Sequence, residues 1–252
     1  MATIAAIIIT KDEEKNIARC LQAIDGWVDE IIVVDSFSTD KTKEICESFS
    51  AVNFVQNKWP GFSAQKNFAD NLASSDYILS IDADEVITDG LKKEILRRKD
   101  SLSGAFFINR LTNYCGHWIY HSGWHPDYQL RLYPRKIGEW DGAAVHEKVI
   151  FNTPIKTEKL PGIMEHYSYE SISDHILRMD SYSTLGAQKI LEKGEKFLAL
   201  KAIIRPLFRF FRTYFLKLGF LDGFYGLCIS VFAAINVFLK YMKAYHLKTD
   251  LH

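Results

Sequence analysis

Tyr77-Ile-Leu-Ser-Ile-Asp-Ala-Asp-Glu85 decides how the rest of the chain is read. Its first five residues, apolar but for Ser80, show no alternation, the pattern of a strand covered on both faces of a parallel sheet. The run ends in three carboxylates, Asp82, Asp84 and Glu85. Ionised carboxylates this close repel one another unless a cation or a donor network compensates them. At the carboxyl edge of an α/β sheet, where ligands sit, Asp-x-Asp is a candidate seat for a hard divalent cation holding a phosphate. The competing reading is a polar turn behind a buried strand, and the surrounding chain has to choose.

Upstream, three more short apolar runs have strand length: residues 4–9, 31–34 and 52–55. Between them lie helical patterns, with Ile17, Leu21 and Ile24 on one face of the first and Ala64, Phe68 and Leu72 on one face of the last. Asp12 or a neighbour is the expected cap of the first helix. This β-α-β-α-β-α-β rhythm predicts a doubly wound parallel sheet. Its carboxyl edge then gathers Thr10 to Glu13, Asp35, and Asp82 to Glu85. The chain has no Gly-x-Gly-x-x-Gly and no Gly-Lys-Ser/Thr loop, so a phosphate has no backbone cradle and a metal on Asp84 is the economical substitute.

The chain of 252 residues can bury a sizeable core. Its formal net charge of zero carries no global mark of nucleic-acid binding. The charge is unevenly spread: residues 196–252 hold nine Lys or Arg against two acids, a net +7, which leaves −7 on residues 1–195. Cys20, Cys46, Cys115 and Cys228 are far apart, with no Cys-x-x-Cys, which fits a reducing compartment. The N-terminus lacks a basic n-region and reads as a first strand, not a signal peptide.

Downstream, a charged helix is expected over residues 89–100 and a strand over 105–109. Residues 111–142 then crowd Tyr114, His117, Trp118, Tyr120, His121, Trp124, His125, Tyr128 and Trp140 into a loop-rich stretch. Such residues suit a pocket that stacks on sugar rings, or an aromatic minicore under long loops. From Leu198 the chain reads as helix, with Arg205, Arg209 and Arg212 opposite Leu207, Phe208, Phe211 and Phe215, and with Pro206 suited to a first helical turn. Residues 223–239 are an apolar run of 17 residues. That is short for a spanning helix, which wants about 20 apolar residues. A basic amphipathic segment lying on an anionic membrane surface is the better reading.

With these pieces in order, the chain resembles a family 2 glycosyltransferase of the GT-A fold over most of residues 3–170. The resemblance rests on Ile-Ile-Thr-Lys-Asp-Glu-Glu-Lys-Asn-Ile17, Val-Val-Asp-Ser-Phe-Ser-Thr-Asp40, Gln65-Lys66-Asn67 and Asp82-Ala-Asp84. More narrowly, Gln129-Leu-Arg-Leu132, Val145-His-Glu147 and His166-Tyr-Ser-Tyr169, with the basic aromatic tail, resemble small bacterial enzymes that add glucose to the lipopolysaccharide inner core. It implies a Rossmann-like, mostly parallel α/β sheet with helices on both faces, followed by C-terminal membrane-associating helices. The expected division is a catalytic domain over 1–195, with a nucleotide half over 1–100 and an acceptor half over 101–195, then the basic tail over 196–252.

The same resemblance implies roles. Thr10 and Glu13 line the nucleotide pocket, Asp35 contacts uracil or ribose, and Lys66 approaches the diphosphate. Asp82 touches the ribose or sugar, and Asp84, with His166 as a further ligand, holds Mg²⁺ or Mn²⁺. Arg131 faces a phosphate or the acceptor, with a structural ion pair as the alternative. One carboxylate deprotonates the acceptor hydroxyl in an inverting transfer, Glu147 first and Asp127 second. The implied partners are a UDP-sugar, a lipid-linked glycan and an anionic inner-membrane surface on the cytoplasmic side, with a homo-oligomer left open. A nucleotidyltransferase and an inactive glycan-binding scaffold are the competing functions. The nucleotidyltransferase wants a Gly-rich basic loop after the first strand, where this chain has Lys-Asp-Glu-Glu14.

Overall fold

The computed structural model describes residues 1–142 and 148–249. The chain divides into two compact units, Met1–Arg110 with Asp127–Tyr167, and Leu111–Pro126 with Ser168–His252. The expected boundary at residue 195 is therefore displaced: residues 111–126 and 168–195 group with the C-terminal helices.

In chain order the first unit begins β1 (Ile4–Thr10), α1 (Ile17–Ile24), β2 (Glu30–Asp35), α2 (Thr42–Glu47), β3 (Val52–Gln56), α3 (Phe62–Leu72) and β4 (Tyr77–Asp82). β5 (Glu85–Ile87), α4 (Asp89–Arg98) and β6 (Ala105–Tyr114) follow. β6 runs into the second unit, where β7 (His117–Ile119) pairs back on it. β8 (Asp127–Pro134), β9 (Gly138–Trp140), β10 (Val149–Phe151) and most of β11 (Thr157–Tyr169) return to the first unit.

The buried strands explain themselves by period-2 geometry. In β1, Ile4, Ala6 and Ile8 enter one core, while Ala5 and Ile7 enter the core on the opposite face. β2 splits in the same way, Ile31 and Val33 against Ile32 and Val34. α1, through Ile17, Cys20, Leu21 and Ile24, and α4, through Leu91 and Ile95, cover the first face. On the second, α3 contributes Ala69 and packs with Tyr133, Trp140 and Val149. Each large aliphatic side chain so buried stabilises the fold by about 1.5–3 kcal/mol.

The strand order is β3-β2-β1-β4-β8-β6-β11-β5. β1 pairs parallel with both β2 and β4, and β2 parallel with β3. Beyond β4 the pattern changes: β8 is antiparallel to β4 and to β6, and β11 is antiparallel to β5. The sheet is thus mixed: the expected parallel part runs from β3 to β4, and the strands beyond it are antiparallel. A parallel neighbour needs a crossover of a dozen or more residues, and the later connections provide none as regular as the first three. The first-helix cap also differs from expectation. Asn16 occupies that position without a side-chain cap bond, and Asp12 is engaged elsewhere.

In the second unit the β6–β7 hairpin turns on Cys115 and Gly116, both at positive φ, as a two-residue hairpin requires. α5 (Ile172–Glu192), α6 (Leu198–Phe211) and α7 (Gly223–Thr249) complete the unit. Ala187 and Ile190 of α5, Leu198 and Ala202 of α6, and Tyr241 and Ala244 of α7 form one cluster. Pro206 lies inside α6, not in its first turn, because the helix starts eight residues earlier. A Cβ on Gly226 would stand 1.8 Å from the Gly219 carbonyl oxygen, so only glycine permits that approach.

Of the aromatic residues expected to form a sugar pocket, Tyr114 and Trp140 are buried, His117 and Tyr120 are exposed, and the others are partly buried. Tyr114 is fully buried, edge-on to Trp124 and Tyr169, with its hydroxyl 2.8 Å from His175 Nδ1. Asp222 accepts hydrogen bonds from the amides of Tyr120 and His121 and from the Ser122 hydroxyl. Tyr114 and Trp124 adopt the minicore reading, in one cluster with Ile119 and Ile229.

Candidate active site

Strand register sets out the carboxyl edge of the parallel strands. Thr10 lies opposite Asp35, Asp35 opposite Gln56, and Ile9 opposite Asp82. Thr10 is buried, and its Oγ1 has no hydrogen-bond partner among the described residues. Asp35 is fully buried. Its carboxylate accepts from the Ser38 amide at 2.9 Å, from Gln56 Nε2 at 3.1 Å and from the Ser38 hydroxyl. What Asp35 does directly is hold the loop that follows β2.

That loop is laced to the loop after β1. The amides of Asp12, Glu13 and Glu14 donate to Ser38 Oγ, Thr42 Oγ1 and Asp40 Oδ2 at 2.8, 2.8 and 3.0 Å. In return the amides of Thr39 and Lys41 donate to Asp12 Oδ1 at 2.7 Å and Glu14 Oε2 at 3.1 Å. Lys-Asp-Glu-Glu14 and Ser-Phe-Ser-Thr-Asp40, separate motifs in the sequence, are two halves of one rim. Glu13 also takes Asn16 Nδ2 at 2.8 Å.

A chain of charges joins buried Lys66, Arg131 and Glu85 to the partly exposed Asp82, Arg110 and Asp127. Asp82 meets Lys66 Nζ at 3.2 Å and Arg131 Nη2 at 2.5 Å. The same Arg131 nitrogen is 2.5 Å from Glu85 Oε1, and Arg110 Nη1 reaches that oxygen at 3.1 Å. Arg110 in turn holds Asp127 at 2.7 Å. Three carboxylates and three cations balance, and the β4–β5 turn is braced when the Asp82 amide donates to Glu85 Oε2 at 2.9 Å. Burial works against the charged form of Asp82. Arg131 first, then Lys66 and Arg110, outweigh it and hold the carboxyl well below its usual range.

Asp84 stands outside this chain. Its Oδ2 is 3.3 Å from His166 Nε2, and its carbonyl accepts from the Tyr167 amide at 2.8 Å. β11 pairs antiparallel with β5, His166 opposite Glu85, which sets the histidine beside the β4–β5 turn. The Arg19 guanidinium lies 3.8 Å over the Tyr167 ring. Among the described residues no three His, Cys, Asp or Glu side chains gather around one point. A carboxylate and an imidazole alone suit an ion that takes its other ligands from phosphate oxygens and water.

The structure thus brings Lys66, Asp82, Arg131 and Asp127 into one ion-pair chain and sets Asp84 with His166. Arg131 forms the structural ion pair that the sequence left as an alternative. Asp127 is held by Arg110 and by Gln129 Nε2, 2.6 Å from Oδ1. Glu147 lies outside the described residues. Sequence reading missed Arg110, the contact of Trp140 with Lys66, and the central place of Glu85. Arg110 was detectable as a charge at the end of an apolar strand run. Trp140 lies 4.4 Å from Lys66 Nζ and is fixed by Asn67, whose amide exchanges two hydrogen bonds with its backbone at 3.1 and 2.9 Å. Nothing in the sequence spacing joins those two segments.

The model of the family described as Glycosyl transferase family 2 matches residues 5–160, more than half of the chain. An uncharacterized glycosyltransferase of Rickettsia typhi is 31% identical over 254 residues, covering 96% of this chain and 87% of that protein. The lipopolysaccharide core biosynthesis glycosyltransferase LpsC of Rhizobium meliloti is 28% identical over 250 residues, covering 96% and 92%. Among solved structures, S. aureus TarS 1-349 aligns at 13% identity with a TM-score of 0.45, covering 98% of this chain and 92% of that one. The nucleotidyltransferase alternative falls with these matches: the chain is a glycosyltransferase and belongs to glycosyl transferase family 2.

Proposed function

We propose that this glycosyltransferase moves a hexose, glucose in the simplest case, from a UDP-sugar to a lipid-linked core glycan with inversion. The observation that carries the reading is the contrast at one sheet edge between Asp82, ion-paired to Lys66 and Arg131, and Asp84, set against His166. Asp84 and His166 would hold Mg²⁺ or Mn²⁺, which supplies Lewis acidity for the charge that develops on departing UDP. Thr10 offers its buried hydroxyl to the nucleotide, and Glu13 and Asp35 hold the two-loop rim around it. Lys66, fixed between Asp82 and Trp140, adds positive charge near the diphosphate, and Arg131 keeps Asp82 oriented toward the ribose or sugar.

The acceptor hydroxyl must lose its proton as it attacks. Both Asp127 oxygens already accept hydrogen bonds, from Arg110 and Gln129, which favours Glu147 as the base and Asp127 as a positioning group. Similarity to an enzyme of lipopolysaccharide core biosynthesis supports a lipid-linked acceptor. So does the second unit, where Leu207, Phe208 and Phe224 are 69%, 61% and 71% exposed beside basic residues. Gly219–Thr249 is long and apolar enough to cross a membrane by length and composition. Its Lys243, however, is tied to Asp180, Ser183 and Thr184 of α5, which favours a helix lying at an anionic cytoplasmic surface over one that spans it.

The direct test is a panel of UDP-sugars with Mg²⁺ or Mn²⁺, read by thermal stabilisation and by slow UDP release. One UDP-sugar should do both, and failure of every donor with both metals overturns the reading. For the membrane, Leu207→Glu with Phe208→Glu should reduce co-sedimentation with anionic vesicles. Equal sedimentation of the two proteins rules α6 out as the docking surface.

A further inference from the structure

On the amino edge of the first unit's sheet, away from the rim, lies a cleft of about 390 Å³. α3 forms one wall with Asn67, Asp70 and Asn71, and the β8–β9 turn and β10 form the other with Arg135, Glu139, Phe151 and Asn152. Its position follows from register: Tyr133 and Pro134, which lead into the turn, pair with Ile78 and Tyr77 at the start of β4. The volume lies in the range of small-molecule sites.

Asp70 forms part of the cleft wall and is 7% exposed. Its Oδ2 accepts from the Tyr133 hydroxyl at 2.9 Å, while Oδ1 has no hydrogen-bond partner among the described residues. With Asp70 ionised the titratable lining balances, Asp70 and Glu139 against Arg135 and Lys136; with Asp70 protonated it carries a single excess positive charge. Arg135 is further engaged, its Nε donating to the Ser75 carbonyl at 2.9 Å. The excess is at most one charge, so a charged ligand finds little net attraction here. Exposed primary amides at Asn71 and Asn152 each carry a donor and an acceptor, the combination that matches vicinal hydroxyls. Phe151 and the half-exposed Ile150 add an apolar surface of the kind that covers the C–H face of a pyranose.

We propose that this cleft is a second carbohydrate subsite, taking one neutral hexose unit of a glycan at the edge of the sheet opposite the donor carboxylates. It rests on the glycosyltransferase reading and extends it, because binding here needs neither nucleotide nor metal. The cleft also touches the donor side through one chain of contacts. Asp70 holds Tyr133, the Tyr133 hydroxyl accepts from Trp140 Nε1 at 3.0 Å, and the Trp140 ring lies over Lys66.

The test is saturation-transfer NMR on the full chain with the methyl glycosides of glucose, galactose and mannose, each with and without saturating UDP and Mn²⁺. At least one glycoside should receive saturation that UDP leaves unchanged. Asn71→Ala with Asn152→Ala, both exposed and outside the donor site, should weaken it about tenfold, as loss of two hydrogen bonds implies. UDP binding by calorimetry should stay the same in that variant. No transfer to any glycoside, transfer abolished by UDP, or equal transfer to the variant each overturns the subsite. Loss of UDP binding in the unmodified chain would instead overturn the donor-site reading.

Discussion

At the carboxyl edge of the first unit's sheet, Asp82 contacts Lys66 and Arg131, with Arg110 close behind. At the amino edge, one helical turn further along α3 from Lys66, Asp70 has a phenol for a partner and cations only at a distance. Both carboxylates feel strong desolvation. At Asp82 the cations win and the carboxyl is held well below its usual range. At Asp70 burial wins over the Tyr133 hydrogen bond and the fields of Lys66 and Arg135, and the carboxyl is pushed up to about 7. Buried acids are therefore sorted by direct cation contact, not by burial. Asp82 is a permanent charge at the carboxyl edge of the parallel strands, whereas Asp70 is an acid that changes state near neutral pH.

The largest expected effect comes from breaking the compensated side. Arg131→Met leaves Asp82 and Glu85 short of their shared cation. Removing one partner of a buried pair typically costs about 3–5 kcal/mol, and urea denaturation should show a loss of that size. A loss below about 1 kcal/mol would mean the pair is screened as a surface pair is. Next in size is Asp84→Ala, two residues away and outside the ion-pair chain. It should weaken metal-dependent UDP binding at least about 100-fold by calorimetry while leaving the urea midpoint in place. Unchanged UDP binding would return the metal to another seat.

The parallel half of the fold was legible because buried strands advertise themselves as unbroken apolar runs. The first three helices likewise repeat their apolar residues every three or four positions. Asp35, Asp82 and Asp84 were legible as carboxylates placed where such strands end. Arg110, Trp140 and the Asp70–Tyr133 pair were not, since each meets its partner across 25 to 74 residues of chain through antiparallel strands whose order the sequence pattern leaves open. The two-loop rim was half legible. Its motifs were visible, but reciprocal amide-to-side-chain bonds between them require the β1–β2 register, which only tertiary pairing supplies. Pro206 was misplaced for a related reason: helix ends are set by caps and packing, and α6 opens on Phe197 in a left-handed conformation rather than on a capping residue.

The uncompensated side makes a pH prediction. Asp70 has a folded-state value of about 7 against 3.8 for an ordinary carboxyl, so between these values the folded chain binds the extra proton. Stability then falls as pH rises through that window, levelling off once Asp70 ionises in both states. Asp70→Asn keeps the shape and an acceptor for Tyr133 but cannot ionise. It should flatten the stability profile between about pH 4 and pH 7 and gain about 4 kcal/mol at pH 8. Parallel profiles for the two proteins would show that Asp70 is compensated after all.

The smallest effect separates the phenol from the cations at that carboxyl. Tyr133→Phe removes the one hydrogen bond that favours ionised Asp70 and also leaves Trp140 Nε1 without its acceptor. Loss of that bond pushes the Asp70 midpoint further up, in the direction burial already drives it. Because Asp70 is then neutral across the physiological range, the protein is relieved of a buried charge and the net stability change at pH 7 should stay near 1 kcal/mol. A carboxyl-carbon NMR titration reads the two contributions separately from stability. An upward displacement of the Asp70 midpoint assigns the residual stabilisation of its charge to Tyr133. A midpoint that stays in place assigns it to Lys66 and Arg135, and the two edges of the sheet then differ only in how close their cations stand.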